Sequence, residues 1–189
     1  QLAKNAFLSS KRTYTRKLKE LILSIRLERA YDKNKILELY LNRIPYGNNA
    51  YGAEMAAKMY FGKSAKDLTL GEASVLAALP KAPTFYSPYG QNAYSKLESL
   101  DKDDYTIGLI GRKIVFSATD SLYIPGRADI ILKRMNELDF INEDKKITAA
   151  DEIQHIEFQK YREVIKAPHF VFYIKTLLEE QFGKDVMAQ

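Results

Sequence analysis

The sequence contains no cysteine. That excludes disulfides and cysteine-based zinc sites, and leaves the compartment open. It has two histidines, His155 and His169, which do not make a histidine-rich metal site. No run approaches the roughly 18 consecutive apolar residues of a membrane-spanning helix. No signal-peptide pattern is present, and neither repeats nor low-complexity segments occur. Acidic residues are scarce at the start: Gln1–Glu20 holds one, Glu20 itself, against Lys4, Lys11, Arg12, Arg16, Lys17 and Lys19. The chain opens on Gln1, already within a patterned segment. It therefore reads as an excised piece whose targeting or membrane segment would lie upstream.

What is present is ordinary globular composition. The 189 residues are 46% hydrophobic and 28% charged, enough for one domain with a sizeable core and room for a subdomain. The net charge of +5 is unevenly placed. Residues 1–63 hold thirteen Lys/Arg and five Asp/Glu, a balance of +8; the remainder holds sixteen and nineteen, a balance of −3. The first third carries the positive field that attracts phosphates, pyrophosphates or an anionic membrane face.

Helical periodicity dominates the chain. A first short helix is expected over Gln1–Leu8. Thr13 or Thr15 can cap a second, with Leu18, Leu21, Ile22 and Ile25 inward and an end near Tyr31. On it Arg16 and Glu20 are four residues apart, on one face, with Lys17 three from Glu20. Asp32 can cap a third helix with Ile36, Leu37, Tyr40 and Leu41 inward, stopped by Pro45. A loop rich in Gly, Asn and Tyr follows, then AEMAAKMYF, ended by Gly62. Thr69-Leu70-Gly71-Glu72 is a capping box opening a helix that is apolar nearly all round, and hence central. Residues 91–104 read as loop or short helix. Arg112–Ser117 and Ser121–Pro125 read as a β-hairpin. Helical patterning returns over Ala128–Leu138 and after Asn142, and Pro168 opens a last helix stopped by Gly183.

By pattern alone Glu20 is most simply a surface carboxylate paired with Arg16. The functional alternative is a carboxylate held among cations; its charged form would be favoured, so it would orient a cation or a sugar hydroxyl rather than donate a proton. Lys4, Arg12, Arg16 and Lys17 read as a solvated basic face or as a phosphate clamp, with Arg supplying bidentate contacts and Lys a point charge. Asn42 is a C-cap or a ligand contact. Lys63 is an ordinary last-turn cation. The loop aromatics Tyr46, Tyr51, Phe85, Tyr86 and Tyr89 could stack on sugars, sit at a membrane interface or pack at a rim.

Several segments in register carry more weight than any one. QLAKN, TRKLKE, RLER.Y.K..ILELYLN, YG..A..YFGK and LTLGEASVLAALPKAP..YSP together resemble the glycosyltransferase domain of class A penicillin-binding proteins (family 51 glycosyltransferases). The resemblance covers Gln1–Pro88 without a break. DIILKRMNELDFIN resembles the helix that follows in that family, and APHFVFYIKTLLEEQFG the connection toward the transpeptidase domain. The stretch near Arg112–Pro125 departs from the family pattern and reads as an insertion. The implied organisation is the later part of the glycosyltransferase domain over 1–90, an insertion over 91–126, closing helices over 127–166 and a linker helix over 167–189.

The resemblance implies a mainly α, lysozyme-like helical fold, here with an inserted β-hairpin. It implies polymerisation of lipid II into glycan strands on the outer face of the bacterial cytoplasmic membrane. The acceptor's sugar 4-hydroxyl attacks the anomeric carbon of a growing glycan chain with inversion, and undecaprenyl pyrophosphate leaves. The partners would be lipid II, the growing chain, the membrane surface and a downstream transpeptidase domain, with no nucleic acid. Position by position, Glu20 matches the family's second essential glutamate, beside the donor pyrophosphate and its cation, so a divalent ion (Mg2+ or Mn2+) could sit there. Lys4 and Asn5 match the end of the second motif, and Arg12, Arg16 and Lys17 the pyrophosphate-binding cations. Asn42 closes the fourth motif and Lys63 lies in the fifth. The family's general base is a Glu in a Glu-Asp…His motif upstream of the segments matched here, which is not in this chain, so the piece is expected to be inactive alone. The alternative is a non-catalytic module that binds lipid pyrophosphate or acts as a scaffold beside a transpeptidase.

Overall fold

The structure is a computed structural model that describes residue 2, residues 13–159 and residues 168–182. Of the expected first helix over Gln1–Leu8 only Leu2 is among the described residues, and the stop at Gly183 lies outside them. The chain divides into two compact units, residues 1–159 and 160–189. The described part is mainly α-helical, as expected, with two small antiparallel strand pairs.

The first unit opens with helix α1, Tyr14–Ala30. Thr13 caps it, its hydroxyl accepting from the Arg16 amide at 3.2 Å. Helix α2, Lys33–Leu41, is capped by Asp32, whose carboxylate accepts from the Lys35 amide at 2.7 Å. Both starts follow from one mechanism: a short polar side chain satisfies an amide that the first turn leaves orphaned. The apolar stripes do not turn inward as expected. Leu18, Leu21, Ile22, Ile25, Leu37 and Leu41 are exposed, and neither helix has a buried residue. The two helices instead flank a groove of about 790 Å³ lined by Leu21, Ile25, Ile36, Leu37 and Tyr40. Periodicity dictates that a stripe exists; it does not dictate what covers it.

The core lies further along. Helix α3, Ala53–Phe61, ends at Gly62 in the left-handed conformation (φ 69°). A 3-10 turn over Ala65–Asp67 leads to helix α4, Leu70–Ala78, which continues as a 3-10 turn through Lys81. The capping box is realised in full: the Thr69 hydroxyl accepts from the Glu72 amide, and the Glu72 carboxylate accepts from the Thr69 amide. Small residues let neighbours approach α4 closely. Ala56, Ala57, Val75, Leu76, Ala78 and Leu79 are all buried there, with Tyr60 fully enclosed.

Residues 91–104 hold more order than expected. Strand β1, Lys96–Leu97, pairs antiparallel with β2, Tyr105–Thr106. Strands β3, Arg112–Val115, and β4, Ser121–Ile124, form the expected hairpin with Arg112 opposite Ile124 and Val115 opposite Ser121. Helix α5, Arg127–Glu137, and helix α6, Glu143–Gln154, then pack on α4. They contribute the fully buried Leu132 and Ile153. The Asn142 side chain caps α6, accepting from the Lys145 amide at 3.0 Å. The second unit holds helix α7, Pro168–Phe182, with Pro168 in its first turn.

Candidate functional site

The first turns of α1 bring three of the candidate residues together. With Thr13 fixing where the helix starts, Arg16, Lys17 and Glu20 fall at i, i+1 and i+4 on neighbouring faces. Lys17 Nζ donates to Glu20 Oε1 at 3.0 Å. The ion pair expected between Glu20 and Arg16 is therefore made by Lys17. The Glu20 side chain is 16% exposed while that of Lys17 is 72% exposed. The hydrogen bond from Lys17 holds the Glu20 carboxyl below its ordinary value, helped by the Lys17 and Arg16 charges and against partial desolvation. Glu20 is thus a carboxylate at neutral pH, suited to accepting hydrogen bonds or orienting a cation and unsuited to giving up a proton. Arg16 touches Glu20 only through space, and its buried Nε has no hydrogen-bond partner among the described residues. Thr13, Tyr14, Arg16 and Lys17 line a cleft of about 380 Å³. A guanidinium whose Nε is unbonded, beside an exposed ammonium, is an arrangement that accepts an anion.

Lys4, Asn5 and Arg12 lie outside the described residues. Asn42 caps the C-terminal end of α2, its amide donating to Glu38 O at 3.0 Å, and is exposed. Lys63 lies just past α3. Its Nζ donates to Glu72 Oε1 at 2.8 Å, which raises the Lys63 pKa. Burial pushes the Glu72 carboxyl up, but hydrogen bonds from Lys63 and the Thr69 amide outweigh it and hold it below its ordinary value. No hydrogen bond or ion pair among the described residues joins Asn42 or Lys63 to the Lys17–Glu20 pair. The Glu72 capping box was legible in TLGE. Its second role, as partner to Lys63 nine residues earlier, needed the turn between α3 and α4 to be in place.

Two further features escaped sequence reasoning. Glu54 on α3 accepts from the Ala65 amide at 2.8 Å and the Ser64 hydroxyl at 3.1 Å. Those bonds, the backbone one foremost, with Lys58 adding, lower its pKa to about 2. The loop between α2 and α3 has Gly47, Asn48, Asn49 and Gly52 all at positive φ. A Cβ on Gly52 would stand 2.8 Å from the Asn42 carbonyl oxygen, so this glycine lets the chain pass against the end of α2. Gly and Asn signalled a turn, but not that four residues would be left-handed.

Among the described residues no group of three or more His, Cys, Asp or Glu side chains could hold a metal ion. Glu20 offers one carboxylate. That matches how Mg2+ is commonly bound, through one or two carboxylates together with substrate phosphates, and not a closed protein cage. No helix among the described residues is long and apolar enough to cross a membrane.

A family model described as Transglycosylase matches residues 1–104, more than half of the chain. The chain belongs to the transglycosylase family. It is 58% identical over 89 residues to penicillin-binding protein 1A of Aquifex aeolicus, covering 47% of this chain and 12% of the relative. Identity to penicillin-binding protein 1F of Bacillus subtilis is 43% over 127 residues, covering 67% and 17%. Penicillin-binding protein 1A of Pseudomonas aeruginosa aligns over all 189 residues at 32% identity, 20% of its own length. Among solved structures, penicillin-binding protein 1A of Haemophilus influenzae superposes with a TM-score of 0.52 at 25% identity, covering 97% of this chain and 20% of that one. The chain therefore spans about a fifth or less of these relatives. The region in common is the transglycosylase region of bacterial cell-envelope proteins.

Proposed function

We propose that this chain is part of a peptidoglycan glycosyltransferase that polymerises lipid II and releases undecaprenyl pyrophosphate. The observation that carries the reading is the α1 cluster inside the family-matched residues: Lys17 bonded to Glu20, with Arg16 alongside and its Nε unsatisfied. As the anomeric bond of the growing chain breaks, negative charge develops on the leaving pyrophosphate. Fixed cations stabilise that charge more in the transition state than in the ground state. Arg16 supplies planar N–H donors and Lys17 a mobile ammonium, with Lys4 and Arg12 as further cations, and Asn5, Asn42 and Lys63 as further substrate contacts. Glu20, kept ionised, holds Lys17 in place and orients what lies beside the pyrophosphate. A divalent cation bound to the pyrophosphate oxygens would take Glu20 as its protein ligand and supply additional charge neutralisation.

The acceptor hydroxyl needs a base, which the family carries in a Glu-Asp…His motif upstream of the segments matched here. This chain does not contain it, so residues 1–189 alone give no turnover. The reaction runs at the outer face of the cytoplasmic membrane, where the lipid-linked substrates are presented. The test is lipid II polymerisation by the gene product that carries this chain, beside its Arg16→Ala and Glu20→Gln variants. Full activity in both variants overturns the reading. A gene product that binds lipid pyrophosphate through the same residues and makes no polymer is instead a binding module beside a transpeptidase.

A further inference from the structure

We propose that Tyr51 and Asn49, on the loop between α2 and α3, form a platform that contacts the sugar rings of the glycan substrate. This rests on the glycosyltransferase reading above. The loop is built rigidly. Ile44, Tyr46 and Ala50 are buried at 3%, 2% and 1% exposure. The Tyr46 amide donates to Ala50 O and the Ala50 amide to Gly47 O, each at 2.8 Å. Pro45 and Tyr51 form a β-bridge, and the Gly52 amide closes the loop on Ile44 O at 3.0 Å. From outside, Tyr60 OH donates to Tyr46 O at 2.9 Å, and Asn48 Nδ2 donates to Ser87 Oγ at 3.2 Å. Asn48 and Asn49 hold positive φ, the left-handed turn conformation that asparagine adopts more readily than other non-glycine residues.

This fixed loop points two side chains outward. Tyr51 is 64% exposed and its side chain makes no hydrogen bond or ring contact among the described residues; Asn49 is exposed as well. The fold makes no use of either side chain. A tyrosine on a backbone held by hydrogen bonds on both sides offers an apolar face at low cost in side-chain freedom, and a phenol that can hydrogen-bond. A pyranose offers the complement, an apolar C–H face rimmed by hydroxyls. The Asn49 amide can both donate to and accept from those hydroxyls. The platform adjoins a residue the reading already uses, because Gly52, next to Tyr51, lies against the Asn42 carbonyl.

The test uses the gene product that carries this chain and a soluble, lipid-free glycan strand as probe, with binding followed by calorimetry. Tyr51→Ala weakens binding about fivefold to tenfold, the scale of an aromatic contact beyond its buried area. Tyr51→Phe keeps the ring and binds within about twofold of wild type. Asn49→Ala gives a smaller loss. With lipid II as substrate, the loss in Tyr51→Ala falls on KM rather than on kcat, and its Tm stays near wild type because the ring is exposed. Wild-type binding in Tyr51→Ala overturns the proposal, as does a Tyr51→Phe variant as weak as Tyr51→Ala. Should the wild type polymerise lipid II while Tyr51→Ala matches it throughout, the platform fails and the glycosyltransferase reading stands. Should the wild type bind glycan through Tyr51 yet polymerise nothing, the glycosyltransferase reading fails and the platform stands.

Discussion

The β3–β4 hairpin hangs on one carboxylate. Asp129, in the first turn of α5, accepts through Oδ2 from the Gly126 amide at 2.7 Å and the Gly111 amide at 3.0 Å. Both glycines are buried, and a Cβ on Gly111 would run into Asp129 and the Tyr123 hydroxyl. Tyr123 OH also receives a hydrogen bond from Gln154 Nε2 at 2.9 Å. Burial, and then the Asp129 charge, push the Tyr123 phenol up. One side chain thereby ties the start of β3, the end of β4 and α5 together. Asp129→Ala leaves two buried amides without an acceptor. Each orphaned buried donor costs about 1–3 kcal/mol, and water entering the vacated space recovers part of the sum, so the expected loss is about 3 kcal/mol. For a domain of this size that lowers Tm by about 6–12 °C. Urea unfolding measures the loss directly, and hydrogen exchange locates it, since the Gly111 and Gly126 amides should lose protection. Asp129→Asn retains one acceptor and should recover part of the stability. A loss below about 0.5 kcal/mol, with both amides still protected, would refute the anchor.

Two other expectations concern the core and its acid sensitivity. Glu54 has a folded pKa of about 2, below its ordinary value of 4.5, so its contribution is fully present above the unfolded value and is lost as pH falls from there through the folded one. The urea midpoint should drop between about pH 5 and pH 2, and Glu54→Gln should flatten that drop; an identical acid slope in the variant contradicts the assignment. Leu132 on α5 is fully buried in the main cluster. Leu132→Ala should cost about 2–5 kcal/mol in chemical unfolding, and a cost near that of a surface substitution would mean the cluster is not the core.

Local chemistry was the legible part of the fold. Thr13 or Thr15, Asp32, Thr69 and Asn142 mark helix starts in the sequence, and the side chains of Thr13, Asp32, Thr69 and Asn142 cap them. The turn formers between Val115 and Ser121 announced the hairpin. Packing across distance leaves no such local mark. Leu18, Leu21, Ile22 and Ile25 form a correct helical stripe, yet they remain exposed, because a stripe's period carries no record of its cover. The short β1–β2 pair escaped notice because two-residue strands have no period to read. The same division holds at the site. The i, i+1, i+4 placement of Arg16, Lys17 and Glu20 follows from helix geometry alone, but which cation bonds to Glu20 depends on side-chain reach, and Lys17 takes it. The partnership of Lys63 with Glu72 depends on a turn whose path no local pattern specified.

An α1 cluster that serves glycan polymerisation through a leaving pyrophosphate must control the length of the strands made. The most direct measurement is the length distribution of glycan made from lipid II by the gene product that carries this chain, wild type beside Glu20→Gln. Extended strands are expected from the wild type and none from the variant, with no product from residues 1–189 alone. Strands of equal length from both proteins would contradict it.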